Sequence, residues 1–190
     1  RTTNVGAGGL TMNAGSSITG TATGTLNVAG AFTATSAAAS VNIGRCNLNV
    51  TGTATMNSTG VGSVNLTNAT GTKTFGNLVI PGNFNNAVNI PITINGNLQN
   101  DGTYTVGTGQ VTFGGAATDT IRGTSTTAFT SLRINKTAIA NVLDVLSNIT
   151  LTSSTTVGLI LTSGTLKLSN TSINITPFPN DVDAAPFLIP

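Results

Sequence analysis

The stretch VTFGGAATDTIRGTSTTAFTSLRINKT, residues 111–137, decides how this chain is read. Apolar side chains alternate with threonine at Val111 and Phe113, recur singly at Ile121 and Phe129, and alternate again at Leu132 and Ile134. Only small polar residues and glycine lie between. A period of two places successive side chains on opposite faces of a strand, so each short alternation predicts a strand with one face buried.

The same apolar-polar-apolar triplet recurs along the chain. It begins at Leu26, Val41, Leu48, Val64, Leu78, Ile92, Val111, Leu132, Ile149, Leu166 and Ile173, most steps being roughly 14 to 21 residues. Recurrence on that scale marks a coiled β architecture. Helix is disfavoured by the abundance of threonine, glycine, asparagine and β-branched residues. The one helical candidate is AIANVLDVL, residues 138–146. The predicted fold is therefore all-β, a β-solenoid resembling a right-handed β-helix, with a Greek-key β-sandwich as the alternative. A narrow solenoid interior suits Val, Ile and Leu, and the chain has no tryptophan and one tyrosine. In the solenoid reading, the pairs from Val41/Ile43 through Val64/Leu66, Ile92/Ile94, Val111/Phe113, Leu132/Ile134 and Ile149/Leu151 to Leu166/Leu168 point into one core. Residues 1–176 are expected to form a single elongated domain. Residues 177–190, with four of the six prolines, read as an extended tail or linker, because proline cannot donate to a central ladder.

Residues 92–175 resemble the repeat segments of very large secreted, adhesin-like surface proteins of Bacteroidota. The resemblance rests on ITINGNLQNDGTYTVGTGQVTFGGAATDTIRGTSTTAFTSLRIN, followed by LSNITLTSSTTVGLILTSGTLKLSN. It implies an exported, β-helical protein with a structural or adhesive role, and no catalytic residues. The chain departs from that succession at the apolar insert 138–146 and at the proline-rich end.

Charged residues make up 6% of the 190, there is no histidine, and the net charge is +2, with its seven cations scattered. No basic stripe for nucleic acid forms. No apolar run approaches the roughly 18 residues of a membrane-spanning helix. Without histidine, no serine or cysteine has the base that a triad requires. Cys46, the only cysteine, is expected to be a small buried core residue. Asp101, Asp119 and Asp144 lie 18 and 25 residues apart, so neighbouring turns of a solenoid could bring two of them together as a glycosidase-like pair. The simpler expectation is that each sits in a solvated turn. Asp181 and Asp183 offer too few oxygens for calcium. The chain is thus read as non-enzymatic, with no cofactor and no metal. Paired threonines, as in TATGT at Thr21 and TGTAT at Thr51, are too unevenly spaced for an ice-binding lattice.

The polar surface carries Asn-Xaa-Ser/Thr sequons at Asn49, Asn57, Asn65, Asn68, Asn135, Asn148, Asn170 and Asn174. Asp119-Thr120-Ile121 resembles the short motif on which Bacteroidota attach O-glycans, which makes Thr120 a further glycosylation candidate. The expected function is a structural subunit or segment of an extracellular or cell-surface fibre or adhesin. It would assemble with copies of itself head to tail, through β-edges and the apolar tail residues Pro186, Phe187, Leu188 and Ile189, with surface glycans as a further partner. The alternative is a carbohydrate-binding or carbohydrate-cleaving β-helix module.

Overall fold

The computed structural model describes residues 1–21, 23–152 and 158–169. The described chain winds through stacked turns, each laying down three short strands. The first turn is β1 (Thr2–Val5), β2 (Leu10–Met12) and β3 (Ser17–Ile18). The second is β4 (Thr25–Val28), β5 (Phe32–Ser36) and β6 (Val41–Ile43). In the third, β7 (Asn47–Ser58) runs through the first corner and is followed by β8 (Val64–Leu66); in the fourth, β9 (Lys73–Ile80) does the same before β10 (Asn83–Asn85). The fifth comprises β11 (Ile92–Ile94), β12 (Leu98–Asn100) and β13 (Thr103–Thr105), and the sixth β14 (Gln110–Phe113), β15 (Asp119–Arg122) and β16 (Thr127–Phe129). The seventh comprises β17 (Ser131–Asn135), β18 (Val142–Val145) and β19 (Ile149–Leu151). β20 (Leu159–Ser163) and β21 (Thr165–Leu168) begin an eighth.

Every strand pairing among the described residues is parallel and joins corresponding strands of adjacent turns. This is a β-solenoid of about seven turns, and the parallel pairing rules out the Greek-key sandwich, whose sheets are antiparallel. A turn takes from 19 residues, as from Ile92 to its partner Val111, to 28, as from Asn135 to Ser163. The triplet spacing in the sequence is shorter and less even because consecutive triplets often lie on different sides of the coil. Leu26 belongs to β4 and Val41 to β6 of the same turn.

The interior is a set of apolar columns. One runs Val5, Val28, Val50, Phe75, Ile94, Phe113 and Ile134 through seven successive turns. Each buried Val, Ile, Leu or Phe in such a column contributes about 1.5–3 kcal/mol. The predicted core positions from Val41 to Leu151 are each at most 2% exposed. Leu166 is partly buried against the core, and Leu168, in the last described strand, is 44% exposed. The helical candidate is corrected: residues 142–145 form a strand, with Leu143 and Val145 turned inward. Its apolar residues fall in register with β15, and that ladder decides the local conformation.

Outward positions stack as well. The Asn49 side-chain amide donates to Asn27 Oδ1 (3.0 Å) and that of Asn27 to Asn4 Oδ1 (2.8 Å), while Asn65 donates to Asn42 (3.2 Å). Parallel, in-register stacking brings identical amides one strand spacing apart, which is why asparagine recurs at these positions.

Candidate functional site

The chemically capable side chains are few, and the coil turns the aspartates of neighbouring turns away from one another. Asp119 is in register with Leu143, and Asp144 with Thr120. The two aspartates occupy adjacent turns but alternate positions, so Asp119 faces the core and Asp144 faces outward. Asp101 lies beyond the end of β12, where Oδ1 accepts from the Thr124 amide (3.0 Å) and hydroxyl (3.2 Å) and Oδ2 from Gln99 (2.6 Å). The Gln99 hydrogen bond, followed by the Thr124 amide, holds the Asp101 carboxyl below its ordinary range. At Asp144, burial pushes upward, but the hydrogen bonds from Lys167 and Ser169 and the Lys167 charge outweigh it, with a net downward shift.

The expectation of three solvated turns is therefore corrected at Asp144, which lies within β18, and more sharply at Asp119. It is buried at the start of β15 and paired with Lys136, which is buried just after β17. Sequence reasoning missed this pair because the partners are 17 residues apart and neither neighbourhood is unusually polar.

A second buried lysine was also missed. Lys73 occupies a core column between Leu48 and Ile92 and is 1% exposed. Its ammonium donates to Cys46 O (2.5 Å) and Gly44 O (3.5 Å). Burial pulls the Lys73 pKa down, opposed by the neighbouring Cys46. Cys46 is buried as predicted, and burial pushes its thiol up, opposed by Lys73. The signal was present in Lys73-Thr74-Phe75, an alternation whose inward phase includes the lysine.

No group of three metal-ligating side chains occurs among the described residues. The described phenylalanines, Phe32, Phe75, Phe84, Phe113 and Phe129, are all buried. Tyr104 stacks on Phe84 (5.6 Å between centroids, 14° between planes), and burial pushes its phenol up to about 12, the Asn86 side chain pulling weakly the other way. The described surface thus presents no aromatic platform on which a sugar ring could stack. An open groove of about 450 Å³ lies beside β3 and β6, lined by Arg45, Asn42, Thr67, Asn68 and Ile18. It offers one cation, amides and hydroxyls, and no carboxylate for acid–base work.

The sequons divide by environment. Asn49 and Asn65 use their amides in the outward ladders, and Asn57 is half-buried in β7. Asn68 Oδ1 accepts from the Thr70 amide (3.0 Å) and hydroxyl (2.6 Å), while Asn135 and Asn148 are exposed. The Thr120 hydroxyl is half-buried and donates to Asn97 Oδ1 (2.8 Å). Asn170, Asn174, Asp181, Asp183 and the tail residues Pro186, Phe187, Leu188 and Ile189 lie outside the described residues.

At the start of the coil, β1, β2 and β3 each pair on one side only, with β4, β5 and β6. Val5, Leu10 and Ile18 of this turn are partly buried and pack against the core. Among the described residues no helix is long and apolar enough to cross a membrane. No protein-family model, no curated protein and no solved structure matches the chain.

Proposed function

We propose that this protein is a structural subunit or segment of an extracellular fibre or cell-surface adhesin, built by head-to-tail stacking of coils. The observation that carries the reading is the first turn. Within the described chain its three strands pair on one side, and Val5, Leu10 and Ile18 there are partly buried, so that a turn from another coil can continue the same ladders and columns in register. From Gly8 to Gly20 it holds no charge. Soluble β proteins ordinarily guard such edges with charge, proline or a cap, and an unguarded edge is a template for another chain. A heterologous contact of this kind propagates into a filament unless it closes into a ring.

The rest of the molecule supports a role carried by shape. The aspartates are dispersed, the described aromatic rings face inward, and the outward columns are hydrogen-bonded asparagine and threonine. The resemblance of residues 92–175 to secreted adhesin repeats points the same way. On this reading the apolar tail at Pro186, Phe187, Leu188 and Ile189 contributes to the contact, and glycans sit on the sequons at Asn68, Asn135 and Asn148.

The test is sedimentation of the full chain across a concentration series, beside Leu10→Lys/Ile18→Lys and a chain lacking residues 178–190. The wild type should grow with concentration while the lysine variant stays a folded monomer, and the truncated chain should assemble more weakly. Concentration-independent monomer in the wild type, or equal assembly of the lysine variant, would overturn the proposal.

A further inference from the structure

The Lys136–Asp119 pair differs from every other charge contact described. The second ion pair, Lys167–Asp144, is solvent-facing, whereas the side chains of Lys136 and Asp119 are 0% and 4% exposed. Lys136 Nζ donates to Asp119 Oδ2 and to Gly114 O (2.5 Å). The pair adjoins the core that contains Phe113, Ile121, Ile134 and Leu143. An amine and a carboxyl group are thus held in contact, oriented by a third group, inside an apolar enclosure.

In water the two groups do not condense, because both are ionised and strongly hydrated and because abundant solvent favours hydrolysis. Burial removes both obstacles. Side chains taken out of water lose their hydration shells, and an amide formed there is shielded from hydrolysing solvent. Holding two reactants in contact replaces a bimolecular encounter with an effective molarity on the order of 10⁵ M or more.

We propose that Lys136 and Asp119 form an intramolecular isopeptide bond. The ammonium proton passes to the Asp119 carboxylate, and the freed Nζ lone pair attacks Cγ while the Gly114 carbonyl holds one N–H. In the resulting tetrahedral carbon a proton moves from nitrogen to a hydroxyl oxygen. The Cγ–O bond breaks, one water leaves, and the Nζ–Cγ amide remains. No oxidant or reductant takes part. No further carboxylate adjoins the pair among the described residues, so general acid–base assistance, commonly about 10²–10⁴-fold, is missing and the reaction is slow. The product is a covalent strut between the start of β15 and the residue after β17, tying the sixth turn to the seventh against pulling or unfolding.

The test is the denatured intact mass of the full chain, fresh and after prolonged incubation at neutral pH, followed by peptide mapping. The wild type should convert to a species lighter by one water, with a branched peptide joining the Asp119 and Lys136 segments and no tryptic cleavage after Lys136. Lys136→Arg, which keeps the charge pair but removes the nucleophile, should stay at full mass and melt at a lower temperature. Lys136→Met/Asp119→Leu provides a second uncross-linked control if the arginine does not fit. A wild type at full mass after incubation overturns the proposal, as does a water loss that maps to Asp101-Gly102, where a backbone succinimide would produce the same mass.

Discussion

Replacing Gly76 by alanine probes the stacking of the coil directly. Gly76 lies in β9 at the corner that the chain rounds between the first and second strands of the fourth turn. A Cβ there would stand 2.6 Å from Gly52 O and nearer still to Thr51 O, both backbone atoms of the turn below. The neighbouring corners repeat the arrangement, with Gly52 against Gly30 O (2.7 Å) and Gly96 against Gly76 O (2.6 Å). Carbon–oxygen contacts under 3.0 Å are essentially absent from real structures, so β9 would have to lift off β7 by several tenths of an ångström or more. Overpacking of this kind costs about 1–3 kcal/mol. Stretching one or two ladder hydrogen bonds adds about 1 kcal/mol each. The total, about 3 kcal/mol, corresponds to a fall in Tm of roughly 6–12 °C for a chain of this size. Urea unfolding followed by circular dichroism measures it. Gly8→Ala is the control: nothing lies within 4 Å of its Cβ, and its effect should stay within about 0.5 kcal/mol. A Gly76→Ala protein within that same margin would refute the close-stacking argument.

Lys73→Met should stabilise the fold by on the order of 1 kcal/mol at neutral pH, because a buried ammonium gives way to an apolar chain of similar length. Burial lowers the Lys73 pKa, so between that lowered value and the ordinary lysine value the unfolded chain binds more protons. Wild-type stability should therefore gain with rising pH across that interval relative to Lys73→Met, a difference that denaturant titrations at neutral and alkaline pH would show. Ile94→Asp, at a fully enclosed column position, should cost about 3–5 kcal/mol, seen as loss of cooperative unfolding or of soluble expression. Lys167→Ala removes a solvent-facing partner of Asp144 and should change the urea midpoint by no more than about 0.5 kcal/mol.

The strand triplets were legible because a parallel coil buries alternate residues on every side, and Val41-Asn42-Ile43 and Val64-Asn65-Leu66 show that pattern without interruption. The turn length was not, since Leu26, Val41 and Leu48 look equivalent in sequence while only Leu26 and Leu48 share a column. Residues 138–146 looked helical in isolation because a short apolar run fits either period, and only the ladder to β15 and β21 settles it. Asp119 read as an ordinary turn residue for a related reason. Its environment is made by Lys136 and Gly114 from other strands, and local sequence does not report contacts between strands.

Electron microscopy of the purified full chain, imaged across a concentration series, tests most directly whether this coil builds fibres by stacking end on end. The account predicts unbranched filaments that lengthen with concentration and show strands crossing the axis at the roughly 4.8 Å spacing of a β-ladder. Discrete particles of one coil each, at every concentration, would contradict it.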